Sequence, residues 1–361
     1  MGAVWLAHDR LLDREVAIKQ IISTAGMSEF EANRLRENVI REGRVAAKLS
    51  HKHAIAVYDV TLEAGEPWLV MEYLPSRSLA KALTVAEHIP PIEIAQIGAQ
   101  VADALSQAHD AGIVHRDLKP GNILIADRGP DAGVAKVSDF GIASAVGDAQ
   151  LHDASVITGT PAYLPPEVAR GAEPTAASDV FSLGATLYTA TEGQPPFGID
   201  TDAEVLITRA AHGQIIPPGR SGVLTDVLLH MLEPSPTRRP TMAQARDELA
   251  AVVVGPGGVG QILGHPVRTV DGIIPPWAAR QSAVRRQLPP LPPMSPQRLA
   301  PAPALQRRPA PTRITDLDSL RDWFRMALAN PHQHVLPLTL AGAAAAAAFV
   351  TVVTLILTVA R

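Results

Sequence analysis

The stretch His115-Arg116-Asp117-Leu118-Lys119-Pro120-Gly121-Asn122 decides how the rest of the chain is read. Asp117, an acid that can take a proton, stands two residues before the cation Lys119 and five before the amide oxygen of Asn122. A carboxylate so placed orients an attacking hydroxyl, an ammonium offsets charge on a moving phosphoryl group, and an amide oxygen holds a divalent cation. A second carboxylate with a flexible glycine close behind it follows in Asp139-Phe140-Gly141. These residue types in this order point to phosphoryl transfer.

The two motifs together resemble the catalytic loop and metal-binding triplet of the bacterial eukaryotic-like (Hanks-type) serine/threonine protein kinases, in the membrane-anchored actinobacterial style. The full run HRDLKPGN is highly specific, whereas Asp-Phe-Gly alone is a common accident. The resemblance implies an α+β fold of two lobes, a small β-rich one to about residue 74 and a large helical one from about 75 to 254. It also implies ATP with Mg²⁺ (or Mn²⁺) as cofactors. Asp117 then accepts or orients the substrate hydroxyl proton, Lys119 stabilises the transferred group, and Asn122 and Asp139 hold the metal. His115 is read as a structural residue packed under Phe140.

Upstream, Val16-Ala17-Ile18-Lys19 looks like the kinase strand whose lysine grips the α- and β-phosphates of ATP. A lone VAIK is weak; its position ahead of both motifs gives it meaning. Kinases precede this strand with G-x-G-x-x-G-x-V, of which only Gly2 and Val4 are present, so the true start is expected to lie upstream of Met1. A helix over about 27–49 supplies a glutamate to pair with Lys19. Glu42 is chosen by position, and Glu37 is read as solvated. His51 and His53 are assigned to the loop that follows. Trp68 to Leu74 reads as a strand entering the hinge between lobes. Met71 lines the back of the adenine pocket, the backbone of Glu72 and Leu74 bonds the adenine edge, Ala17 belongs to the nucleotide-binding strand, and Leu124 forms the floor.

Lys119 separates the serine/threonine class from tyrosine kinases. Arg116 and the long segment from Asp139 to Glu167 argue against small-molecule phosphotransferases. Arg116 beside Asp117 resembles kinases switched on by phosphorylation of that segment, for which Ser155 and Thr158 are the candidate hydroxyls. The segment ends Pro165-Pro166-Glu167, with proline where the family has alanine; Glu167 is expected to pair with Arg239. Asp179 is expected to bond the backbone of the catalytic loop. A membrane-tethered pseudokinase or nucleotide-binding scaffold stays open as a rival, since two phosphate-covering glycines are missing.

A formal net charge of −4 gives no general reason to expect nucleic acid as partner, and the absence of cysteine excludes disulfides and suits a reducing cytoplasm. The last third changes character. Between Gly272 and Thr315 there is no Asp or Glu, but seven Arg and many prolines, so residues 255–314 read as an extended Pro/Arg-rich linker that can lie on anionic lipid. Residues 315–330 fit a short amphipathic helix. Val335 to Ala360 carries no charge and is long enough to cross a bilayer. Arginines on its N-terminal side predict a single-pass cell-membrane protein with a cytoplasmic kinase domain. Protein substrates and a homodimer for trans-autophosphorylation are the partners expected from the family.

Overall fold

The computed structural model describes residues 4–21, 28–63, 65–140 and 161–278. Gly2, Ser155, Thr158, most of the linker, the amphipathic helix and the C-terminal apolar run lie outside these residues. Among the described residues no helix is long and apolar enough to cross a membrane.

The small lobe is an antiparallel sheet with strand order β1-β2-β4-β3, formed by β1 (Val4–Asp9), β2 (Arg14–Gln20), β3 (Val57–Glu63) and β4 (Glu66–Glu72). Strict alternation makes β4 a half-buried strand: Pro67, Leu69 and Met71 point inward while Trp68 and Val70 turn away. Its inner face packs on α1 (Glu29–Ala46), which a capping box between Ser28 and Glu31 starts. Ala32, Leu35, Val39, Gly43 and Ala46 recur at helical spacing and form the buried stripe of α1. Glycine at 43 is required by proximity, because a Cβ there would sit 2.3 Å from Val60 Cγ2.

The large lobe is built on two nearly all-buried helices, α3 (Pro91–Asp110) and the helix Ala176–Glu192. Ile97, Val101, Leu105, Phe181, Leu187 and Tyr188 share one core with Leu249 of the helix Met242–Val254. Each large apolar side chain buried there contributes about 1.5–3 kcal/mol. Gly112, at φ 73, follows the end of α3 and turns the chain toward the catalytic loop. A second sheet, β5 (Ser76–Ser78), β6 (Ile123–Ala126) and β7 (Ala135–Val137), lies beneath the hinge with β6 in its centre. The short helix α2 (Leu79–Ala86) starts directly after β5, on a Ser78 cap.

The packed fold does not stop at 254. Residues 255–278 lie against α3, with Ile262, Val267 and Ala278 buried and Trp277 Nε1 donating to Glu93 Oε2 at 2.6 Å. The linker read as beginning at 255 therefore starts later. Its first 24 residues hold the isolated apolar anchors Ile262, Val267 and Trp277, which a proline- and glycine-based reading overlooks.

Glu167 and Arg239 tie the end of the long segment to the lobe. The guanidinium bonds both carboxylate oxygens at 2.7 Å and also reaches the carbonyls of Glu233, Ala177 and Pro234. The Arg239 side chain is fully buried. Burial pushes the Glu167 pKa up, but bonds and charge from Arg239, aided by Ser178, outweigh it and hold the carboxyl below its ordinary 4.5. The stabilisation is therefore complete above pH 4.5 and is lost as pH falls through the lower folded-state value. Arg239→Leu should destabilise the protein by about 3–5 kcal/mol at neutral pH, read as a lower urea midpoint. The gap between variant and parent should narrow on acidification below 4.5.

Candidate active site

The catalytic loop is held from below by Asp179, whose side chain is 1% exposed. One carboxylate oxygen accepts the backbone N–H of His115 at 2.7 Å and His109 Nε2 at 2.8 Å. The other accepts the N–H of Arg116 at 2.9 Å. Arg116 has φ 69, a left-handed conformation that a residue with a Cβ keeps only when its surroundings enforce it. Asp179 sits in the first turn of its helix, where the dipole also favours a negative charge.

His115 is fully buried and joins the loop to the strand before Asp139. Its Nε2 lies 2.9 Å from Ser138 O, its Nδ1 accepts the Asp117 N–H at 3.3 Å, and its ring meets Phe140 with centroids 4.8 Å apart. One acceptor carbonyl at Nε2 and one N–H donor at Nδ1 specify the Nε2–H tautomer.

Asp117 is the hub of the cleft. Lys119 Nζ donates to both its oxygens, at 2.9 and 2.7 Å. Asn122 Nδ2 donates to its Oδ2 at 3.2 Å and to its backbone carbonyl at 2.8 Å. That orientation commits the amide nitrogen of Asn122 to Asp117 and leaves Oδ1 as its free ligand atom. Asp139 lies on the other side, also left-handed at φ 65, and pairs through Oδ1 with Lys19 Nζ of β2 at 2.6 Å. Asp139 and Asn122 together offer hard oxygen donors, and the described residues hold no cluster of three His, Cys, Asp or Glu. Such a donor set fits Mg²⁺, which typically takes one or two protein oxygens and completes its shell with phosphates and water.

Glu42 does not pair with Lys19. It is half-buried on α1, and within the described residues the one carboxylate within 4.0 Å of Lys19 belongs to Asp139. The pairing expected from chain position is thus corrected in this structure: a single ammonium has been taken by the closer acid.

Ala17 and Met71 are register partners on β2 and β4 and share a small apolar cluster, against which Leu74 and Leu124 pack. Val4, on β1, is exposed. The backbone N–H of Glu72 donates to Ala56 O at 2.9 Å, and its carboxylate pairs with Lys136 Nζ at 2.5 Å. On the opposite side of Asp117, Leu118, Tyr163, Leu164, Pro165 and Val168 line a cleft. Ser182 Oγ fixes its wall by donating to Tyr163 O at 3.0 Å.

Sequence reasoning passed over His109, Ser182 and Lys136. The signal for Lys136 was available, a lone cation in the apolar run Val134-Ala135-Lys136-Val137, since a buried ammonium needs an acid. Nothing local marked His109 or Ser182, whose partners lie in distant segments.

A model of the protein kinase domain family matches residues 1–249. The serine/threonine-protein kinase AfsK of Streptomyces coelicolor is 36% identical over 258 residues, which cover 71% of this chain and 31% of that protein. The serine/threonine-protein kinase PknB of Mycobacterium leprae is 36% identical over 265 residues, 71% of this chain and 41% of its own length. The chain thus spans less than half the length of these curated relatives. Among solved structures, that of Rad53 1–466 in complex with AMP-PNP superimposes with a TM-score of 0.55 at 25% identity, covering 70% of this chain and 62% of that one. With two lobes, a buried loop anchor and a match reaching from the first strand to the last long helix, this chain belongs to the protein kinase domain family.

Proposed function

We propose that the chain is a serine/threonine protein kinase that transfers the γ-phosphoryl group of ATP to protein hydroxyls, its own included. The observation that carries this reading is the Asp117 hub: one carboxylate held by Lys119 and Asn122, facing an Asp139–Lys19 pair across the same cleft. Asp117 orients the attacking hydroxyl and receives its proton. Lys119 sits where negative charge grows on the transferred group. Lys19 reaches the non-transferred phosphates once Asp139 releases it. Asn122 Oδ1 and the Asp139 carboxylate hold Mg²⁺, which supplies charge neutralisation of the phosphates. Ala17, Met71 and Leu124 form the apolar wall for adenine, with the backbone of Glu72 and Leu74 at its edge and Gly2 and Val4 over the phosphates. The cleft bounded by Tyr163 and Leu164 receives the residue next to the acceptor hydroxyl.

The scaffold alternative is disfavoured because every charged position of the hub is filled. Thr158 and Ser155 are the proposed autophosphorylation sites, modified in trans by a second copy. We further propose membrane anchoring, for which the support is the uncharged run from Val335 to Ala360; the arginine-rich segment before it favours a cytoplasmic kinase domain.

Purified full-length chain incubated with γ-labelled ATP and Mg²⁺ should incorporate acid-stable label on Ser and Thr. Asp117→Asn should lower the rate about 10²–10⁴-fold with nucleotide binding retained. Nucleotide binding without label in the parent chain would overturn the kinase reading and promote the scaffold.

Expressed in a bacterial host, the full chain should sediment with membranes and resist carbonate extraction, while a chain lacking residues 335–360 should be released. Carbonate release of the full chain would rule out the span.

A further inference from the structure

Strand β7 leads directly into Ser138 and Asp139, and it is an edge strand, with β6 on one side only. Its outward peptide groups need other partners. Val137 finds them in the loop before β3: its N–H donates to His53 O and its carbonyl accepts from Ile55, at 2.9 and 2.8 Å. Ala135 and Gly133 find theirs through residues 259–278.

Three links make this connection. Gln100 of α3 is fully buried. Its Oε1 accepts the Ala135 N–H at 2.8 Å, and its Nε2 donates to the carbonyls of His265 at 2.7 Å and Ile262 at 3.2 Å. His53, also fully buried, has Nδ1 2.8 Å from Ala135 O and accepts the Gly264 N–H on Nε2 at 2.9 Å. Val267 donates its own N–H to Gly133 O at 2.8 Å. The contact is tight: a Cβ on Gly133, which sits at φ 86, would lie 2.9 Å from Pro266 Cβ. Gln96 adds a reciprocal pair with the backbone of Arg268, at 2.7 and 2.9 Å.

We propose that residues 259–278 are a strap that positions Asp139, pinning the edge of β7 through His53 and Gln100 so that the left-handed carboxylate stays aimed into the cleft. The role assigned to Asp139 rests on the kinase reading above. A left-handed aspartate persists only where the surrounding structure over-determines it. On the C-terminal flank of β7, Ser138 N–H and Oγ both donate to Asn122 O, at 2.9 and 3.3 Å. The strap supplies the corresponding hold on the outer edge. Burial drives the His53 pKa down to about 4, so the ring stays neutral and keeps the Nε2 lone pair that Gly264 requires. His53 and Gln100 are positioning residues: neither touches the reacting groups.

The test uses the full chain and three variants. His53→Leu removes both bridging bonds at similar volume, His53→Gln can keep a donor and an acceptor, and Val267→Pro deletes the N–H that reaches Gly133. Amide hydrogen exchange at 133–139 and the free Mg²⁺ concentration for half-maximal phosphotransfer are measured together. Support requires exchange at least about tenfold faster in His53→Leu and Val267→Pro. It also requires a half-maximal Mg²⁺ concentration raised about tenfold, with His53→Gln close to the parent on both counts. Unchanged exchange in the folded variants overturns the strap. Faster exchange with an unchanged Mg²⁺ requirement overturns its positioning role, leaving a structural one. Should Val267→Pro fail to fold, His53→Leu decides alone, because it leaves the strap backbone intact. A parent chain that transfers no phosphate defeats the kinase reading instead, and exchange still decides whether β7 is pinned.

Discussion

The bonds from the Asp179 carboxylate to the backbone of His115 and Arg116 are the constraint on which the rest of the cleft depends. Two consecutive peptide N–H groups are drawn toward one side chain that is 1% exposed. Leaving that carboxylate in the core with its partners removed would cost several kcal/mol, so the loop is held as strongly as the charge is buried. The left-handed Arg116 follows from this pull, and it reverses the chain so that Asp117 faces outward beside Lys119. His115 carries the constraint onward: a ring anchored on Ser138 O cannot shift without moving the segment that bears Asp139.

Above that frame the cleft is an arrangement of compensated charges. Lys119 is paired with Asp117, Lys19 with Asp139 and Lys136 with Glu72. The lysine and acid side chains in these pairs are only 11–27% exposed, so each ion would carry a desolvation penalty if left alone. The Lys19–Asp139 contact in particular means that any cation approaching Asp139 competes with an ammonium already in place. It also explains why Glu42 stands apart. Its neighbour Gly43 lets α1 close onto β3, but closeness of the helix backbone to the sheet does not bring the Glu42 side chain to Lys19.

What the chain reveals on reading follows from how local each signal is. Alternation in Glu66–Glu72, the capping box at Ser28 and the glycine after α3 are set by neighbouring residues, so single elements are legible without coordinates, while the two-lobed arrangement comes from the resemblance carried by the motifs. The motif residues Asp117, Lys119 and Asn122 lie within six positions and meet in space for that reason. Partners chosen by a single tertiary contact are harder to read. Lys19 pairs with Asp139, and chain position alone favoured Glu42, which it does not meet in this conformation. The stretch after Val254 misled in a different way. Gly255-Pro256-Gly257-Gly258 has the composition of a linker, yet three widely spaced apolar anchors and a row of backbone carbonyls are enough to seat it on α3.

That last feature has a physical logic in the topology of the second sheet. β6 is satisfied on both sides, by β5 and β7, whereas β7 has one strand neighbour and must find donors and acceptors elsewhere. A further strand would close the edge, but it would also occupy the space taken by α3 and the loop at 51–55. Side chains with both a donor and an acceptor solve the problem in less room: Gln100 and His53 each make one bond to Ala135, and Gln100 adds two and His53 one to the chain beyond. Because each bridge is a buried polar group with every bond made, breaking either end strands the other. The strap and the strand that bears Asp139 are therefore coupled through two side chains that sequence alone marks only as a glutamine in a helix and a histidine in a loop.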